Sequence, residues 1–409
     1  MSAATQTVAV TGLGVAAPNG LGKDAYWAAI RTGTSGIGPV TRFRAEGYPA
    51  VLAGEVPGFD AARHLPSRLL PQTDHMTRLA LAAADWALAD ADVDPARRDA
   101  FGMGVITAAS SGGFEFGQNE LRKLWSLGSQ HVSAYQSFAW FYAVNSGQIS
   151  IRNGMKGPSG VLVADGAGGL DVLAQARRAV RKGTGLVVSG AVDASICPWG
   201  WAALLTSGRL SSSDRPERAY LPFDRHAAGH VPGEGGAILI LEDARAAQAR
   251  GARVYGTLDG CAATFDPAPA PGRGAESGLR RAIELALDDA GAEPAEVDVV
   301  FADAAAVPAL DRDEARTLRA VFGQRGVPVT APKTMTGRLY SGAAPLDVAT
   351  ALLALTEGVI PPTVNTGPDP AHGLDLVTGR PRAAELRCAL VVARGHGGFN
   401  SAAVLRAPR

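Results

Sequence analysis

SGVLVADGAGGLDVLAQARRAVRKG, residues 159–183, is the stretch on which the fold turns. It reads as a strand, a tight glycine-rich turn and then a helix, closed by Gly183. The same grammar extends in both directions. Upstream, Val8 and Val10 begin a short strand that is expected to break at Gly12 and Gly14. Residues 75–92 carry Met76, Leu79, Ala83 and Trp86 at helical spacing, and FGMGVITAA follows as a buried-strand candidate. Downstream, GLVVSGAVDA is a strand, and GAILILEDARAAQARG is a strand leading into a short helix. After about residue 250 the pattern repeats. A strand near Tyr255 is followed by a helix over SGLRRAIELALDDAG and the strand VDVVFAD. Next come a helix over DRDEARTLRAVFG, the strand VPVTAPK and a helix over APLDVATALLALTEG. The pair LRCALVVARG and NSAAVLRA closes the chain. Alternating strands and helices predict an α/β protein of two similar halves, 1–249 and 250–409. No low-complexity linker separates them, so a shared core is expected. The stretch DPAPAPGRG at 266–274 reads as a surface loop.

Composition narrows the functional classes. The 409 residues carry 39 Lys and Arg against 39 Asp and Glu, a formal net charge of zero. That balance gives no global attraction to nucleic acid or to an anionic membrane. Cys197, Cys261 and Cys388 are odd in number and widely spaced, which fits a reduced cytoplasm better than a disulfide framework or a zinc site. The opening MSAATQTVAVTGLG has no basic region followed by an apolar stretch, so no signal peptide is expected. No apolar run reaches the roughly 20 residues needed to span a bilayer. A cytoplasmic protein is the expectation.

Five ordered motifs carry a resemblance that covers nearly the whole chain. They are GPSGVLVADGAGGLD, PFDRHAAGHVPGEGGAILILE, VDVVFADAAAVPALDRDEA, PKTMTGRLYSGAAPLDV and GHGGFNSAAVL. In these the sequence resembles the β-ketoacyl synthases of the thiolase fold. Among them it most resembles the ketosynthase-β subunits, or chain length factors, of bacterial type II aromatic polyketide synthases. The resemblance implies a five-layered αβαβα core built from two βαβαβαββ halves.

In the active relatives a cysteine at a helix N-terminus attacks an acyl thioester, and two histidines stabilise the enolate formed on decarboxylation. The motifs place Gly166 at the cysteine position, and Asp303 and Arg338 at the two histidine positions. Glycine offers no nucleophile. Aspartate is an anion where an oxyanion needs stabilising, and arginine donates hydrogen bonds without acting as a neutral histidine would. Three losses at three motifs imply no condensation by this chain alone. Simpler roles stand beside that reading. Gly166 fits a tight turn that needs glycine, and Asp303 and Arg338 fit a salt bridge filling the space the histidines leave. Lys333 and Glu314 match retained family residues and read as structural hydrogen-bonding groups, and His396 reads as a packing residue. The family's chain length factors commonly carry glutamine at position 166, linked to priming decarboxylation. Glycine there leaves no basis for carrying that activity over.

The resemblance also implies partners. It points to a heterodimer with a cysteine-bearing ketosynthase-α, served by a phosphopantetheinyl acyl carrier protein, with no cofactor or metal of its own. The stretch FAWFYAVNSGQISIR, with Phe138, Trp140, Phe141 and Tyr142, lies where ketosynthases make dimer contacts and reads as interface rather than core. The family's length-gating positions fall on Phe114, Gly117 and Leu121. Their i, i+3, i+7 spacing puts them on one helix face, which serves equally as ordinary core; the resemblance alone makes it a tunnel wall. With bulk kept at Phe114, no side chain at Gly117 and Leu121 smaller than a phenylalanine, the resemblance implies a long product, decaketide rather than octaketide. Two alternatives stand beside this reading: a divergent ketosynthase or malonyl carrier protein decarboxylase with its own activity, and an acyl-chain-binding homodimer.

Overall fold

The computed structural model describes residues 6–266 and 278–408, so the loop expected at 266–274 lies, beyond Asp266, outside the described residues. One strand order is used twice. In the first half Val8–Ala17 is followed outward by Gly235–Asp243, Leu186–Asp193, Met103–Ala108 and Ser159–Leu162. In the second, Gly256–Phe265 is followed by Phe399–Arg406, Cys388–Arg394, Val299–Phe301 and Pro328–Thr330, with Asp375–Leu376 added at the edge. The two leading strands meet through Ala9 with Thr257 and Val10 with Gly256.

Helices Asp165–Arg181 and Ala343–Glu357 pack on each other and on strands of both halves, forming the middle layer. His75–Asp90 and Val144–Arg152 cover the outer face of the first half. Gly278–Ala290, flanked by Pro308–Phe322, covers that of the second. The result is the five-layered αβαβα thiolase fold. Ala343–Glu357 is buried at every position from Ala343 to Leu355. A helix apolar on all sides belongs inside a protein, whereas a surface helix carries one stripe. One hydrophobic cluster runs through both halves, from Val8 and Leu13 to Val391 and Leu405.

Three local expectations need correcting. The first strand does not break at Gly12 and Gly14 but runs unbroken from Val8 to Ala17, every residue buried. The glycines serve close approach instead. A Cβ at Gly12 would stand 2.2 Å from the Ala87 carbonyl oxygen, and one at Gly14 1.8 Å from that of Ala83. Helix His75–Asp90 lies directly on the strand there. Gly260 repeats the device in the second half, where a Cβ would meet the Ala286 oxygen at 2.0 Å. Second, the glycines after Ser159–Leu162 form no turn, because the helix already begins at Asp165. The left-handed residue at this junction is Asp165, with φ 48°, and not Gly166. Third, VPVTAPK is extended only over Pro328–Thr330, since Pro332 opens a 3-10 turn to Met335.

Candidate functional site

Gly166, Asp303 and Arg338, the residues that the motif resemblance sets at the catalytic positions, converge on one point. Gly166 sits in the first turn of the buried helix Asp165–Arg181, Asp303 just past the strand Val299–Phe301, and Arg338 just past the turn Pro332–Met335. Arg338 Nη2 donates to Asp303 Oδ1 at 2.9 Å and to the Arg394 carbonyl oxygen at 2.7 Å, while Nη1 reaches the Asp303 carbonyl oxygen at 3.2 Å. The Arg394 backbone N–H donates to Asp303 Oδ1 at 2.9 Å. The salt bridge considered from sequence is therefore present, and it is buried. Burial alone would push the Asp303 carboxyl up, but the Arg338 and Arg394 guanidiniums overcome it and hold that carboxyl well below the usual range. A Cβ at Gly166 would lie 2.5 Å from the Arg394 oxygen and 3.2 Å from Arg338 Nη2. Arg338 and the Arg394 carbonyl thus occupy the space a nucleophilic side chain would need. Glycine is required here for room, not for a turn.

Glu314 and Lys333 act structurally around this knot. Glu314 accepts from the backbone N–H groups of Asp303 at 2.7 Å and Ala304 at 2.9 Å. Those bonds hold a segment in which Ala304 and Ala306 both have positive φ. Lys333 Nζ donates to the Ala302 carbonyl oxygen at 2.5 Å and pairs with Asp347 at 2.7 Å.

Phe114, Gly117 and Leu121, which the resemblance suggests as a length gate, lie on helix Phe114–Leu127, held at its N-terminus by Asp74. This carboxylate caps helix His75–Asp90 through the Met76 N–H at 2.8 Å and accepts from the Phe116 N–H at 2.8 Å. Phe114 stacks at 4.9 Å on Trp199. Gly117 faces the same ring: a Cβ there would lie 3.0 Å from Trp199 and 3.5 Å from Trp140. Leu121 is 36% exposed. Sequence reasoning missed Trp199, whose ring lies over the space that Gly117 leaves. Its signal was present in CPWGWAALL, where Pro198 starts a helix and Trp199 follows.

Beside this helix the aromatic stretch is open. Trp140, Phe141 and Tyr142 are 45%, 39% and 42% exposed, whereas Phe138 packs in part against the first half's core. Trp125, Leu127, Leu162, Val163 and Trp199 are also exposed.

Between the polar knot and Phe114 lies a cavity of about 240 Å³, whose lining includes Ser110, Arg209, His230, Arg338 and Tyr340. His396, expected to pack, is exposed and also lines it, and its backbone N–H donates to Asp165 Oδ2 at 2.8 Å. His230 and Arg209 were not anticipated, although His230 sits inside the motif PFDRHAAGHVPGEGG.

Comparison with known proteins places this geometry. The β-ketoacyl synthase N-terminal domain model matches residues 5–247 and the C-terminal domain model residues 255–367. The chain belongs to the β-ketoacyl synthase family. Within the family it falls with the ketosynthase-β, or chain length factor, sequences. It is 62% identical over 402 residues, 98% of each chain, to the actinorhodin polyketide beta-ketoacyl synthase 2 of Streptomyces coelicolor. It is 60% identical, again over 98% of each, to the tetracenomycin polyketide synthase ketoacyl synthase beta subunit of Streptomyces glaucescens. Among solved structures, the ishigamide ketosynthase/chain length factor superposes with a TM-score of 0.91 at 28% identity, over 99% of this chain and 100% of that one. A type II polyketide synthase acyl carrier protein in complex with its ketosynthase bound to the hexaketide gives 0.87 at 26% identity, with the same coverage. This ketosynthase-β chain has glycine, with no thiol, at position 166, beside a closed Arg338–Asp303 ion pair.

Proposed function

We propose that this chain is the non-catalytic partner of a ketosynthase-α, and that it shapes the tunnel that sets poly-β-ketone chain length in an aromatic polyketide synthase. The observation that carries the first part is the filled site. The Arg394 carbonyl and the Arg338 guanidinium stand where a residue-166 side chain would go, and Asp303 is locked in the same pair. The exposed face of Trp140, Phe141 and Tyr142 supports a heterodimer, because burying such a face is what drives association. Substrate then arrives on the phosphopantetheinyl arm of an acyl carrier protein acting with the complex.

Phe114, Gly117 and Leu121 form the length gate in this reading, and Trp199 shares it by lying over Gly117. Gly117, with no side chain, and Leu121, smaller than a phenylalanine, favour a decaketide-class product. Purified chain alone, given malonyl carrier protein, should release no carbon dioxide and exchange no thioester; addition of ketosynthase-α should start synthesis. Gly117→Thr with Leu121→Phe in that complex should move products toward octaketides. Turnover by the lone chain would sink the non-catalytic assignment. An unchanged product length with intact synthesis would put the gate elsewhere.

A further inference from the structure

The cavity between the ion pair and Phe114 carries polar groups that no other part of the protein uses. His230 is 5% exposed, yet neither ring nitrogen makes a hydrogen bond of ordinary geometry; the Ala305 backbone interacts only weakly with it. The Tyr340 hydroxyl is buried and also without a partner. The Arg209 guanidinium lines the same cavity with no hydrogen bond or ion pair among the described residues. These groups are held in place rather than loose. The His230 backbone N–H donates to the Arg209 carbonyl oxygen at 2.9 Å, and the Ser211 N–H donates to that of His230 at 2.8 Å. Tyr340, with φ 53°, and Asp165, with φ 48°, are both non-glycine residues in the left-handed region, and both line this cavity. Strain gathered on one wall, together with unused polar atoms, points to a ligand.

The chemistry of the wall selects the ligand. Arginine only donates, and a tyrosine hydroxyl can donate. Burial and the nearby Arg338 charge push the imidazole of His230 down to about 3, so it is neutral and has one N–H to give. Asp165 and Asp193 line the cavity too, so a full anion meets carboxylates as well as Arg209. A neutral compound rich in acceptors fits better. At about 240 Å³ the cavity falls below the roughly 300–1,000 Å³ of ordinary small-molecule pockets. It suits the end of a chain rather than a whole one. Its apolar end is Phe114, the first residue of the gate helix.

We propose that this cavity receives a β-dicarbonyl segment at the tip of the growing acyl chain, whose carbonyl oxygens accept hydrogen bonds from Arg209, His230 and Tyr340. The inference rests on the chain-length reading above and extends it from a gate to a chamber behind the gate. A chain that passes Phe114 finds donors for its carbonyls in a wall where the family's reactive groups are gone.

The test uses the complex with ketosynthase-α. Acetylacetone, a neutral β-diketone, is titrated into complex whose histidines are labelled, and the His230 ring signal is followed. The signal should shift on binding, and Arg209→Leu should weaken that binding by about tenfold. In synthesis, Arg209→Leu and Tyr340→Phe should each lower the share of the longest product, with Gly117→Thr plus Leu121→Phe measured in parallel. If the gate variant shortens products while neither cavity variant alters their distribution, the chamber is wrong and the gate stands. If neither set alters length, the gate reading fails and the chamber with it. Should the variants not assemble, the wild-type titration still decides: no movement of the His230 signal at tens of millimolar acetylacetone overturns the proposal. Binding by acetate of equal strength would overturn the β-dicarbonyl assignment.

Discussion

The polar knot at Asp303 and the aromatic face at Trp140 sit in opposite physical states. At the knot, Asp303, Glu314, Lys333, Arg338 and Arg394 are buried and joined by short hydrogen bonds and ion pairs. At the face, Trp140, Phe141, Tyr142 and Trp125 stand in the open. Charges paired with one another in this way have most of their lone pairs and protons committed. An apolar face left in water has the opposite property, because its contribution is realised only when something covers it. At the knot the charged groups close on one another, whereas the rings of Trp140, Phe141 and Tyr142 are left uncovered.

Breaking the knot should have the largest effect. Arg338→Ala leaves the Asp303 carboxylate buried without its main partner, so stability should fall by about 3–5 kcal/mol, read as a lower urea midpoint. A loss below about 1 kcal/mol would mean that the pair behaves like a solvated surface bridge. The aromatic face should respond through association instead. Trp140→Ala with Phe141→Ala should weaken the complex with ketosynthase-α by about 2 kcal/mol or more, measured by sedimentation. The lone chain's stability should change by only about 0.5 kcal/mol. Unchanged assembly with a destabilised lone chain would reassign these rings to packing within the subunit.

Gly166→Cys sharpens the comparison from the chemical side. It should not restore condensation, because both histidine positions remain closed. It should also cost about 1–3 kcal/mol, as an overpacked site does, since its Cβ meets the Arg394 backbone at 2.5 Å. Condensation by this variant alone, without ketosynthase-α, would refute the argument from three lost groups. A pH effect is expected beneath the helix Phe114–Leu127. Burial pushes the Asp74 carboxyl up from 3.8 to about 6, despite the N–H groups of Phe116 and Met76. The folded chain therefore holds this proton more tightly than the unfolded chain. Its contribution to stability is full below about pH 4 and is lost as pH rises through about 6. Asp74→Asn should flatten that part of the stability curve by about 3 kcal/mol. A curve of unchanged slope between those pH values would place the proton elsewhere.

Much of this is legible in the amino-acid sequence. Helix and strand periods mark the elements, and the largely apolar character of APLDVATALLALTEG, broken by Asp347 and Thr350, fits its place in the middle layer. The absence of a thiol at position 166, and the aspartate and arginine at the other two motifs, are facts of side-chain identity that no packing can reverse. What the sequence could not supply is the reason for each glycine. Gly12 and Gly14 read as strand breakers, yet they lie within a continuous strand because a helix carbonyl presses on each. Gly166 reads as a turn residue, but it is helical, and the left-handed φ falls on Asp165. Gly117 reads as open space, yet the ring of Trp199, some eighty positions on, lies over it.

The division follows from where the information resides. Residue type and local period are properties of neighbours along the chain, so the alternation of strands and helices and the glycine at position 166 could be read directly. Room, pairing and isolation depend on what arrives from elsewhere. Asp303 and Arg338 become one buried pair only when segments 35 residues apart meet. His230 becomes an unpartnered donor only because the surrounding wall offers it no hydrogen bond of ordinary geometry. Tertiary structure alone settled those points, because they concern the space between segments rather than the residues themselves.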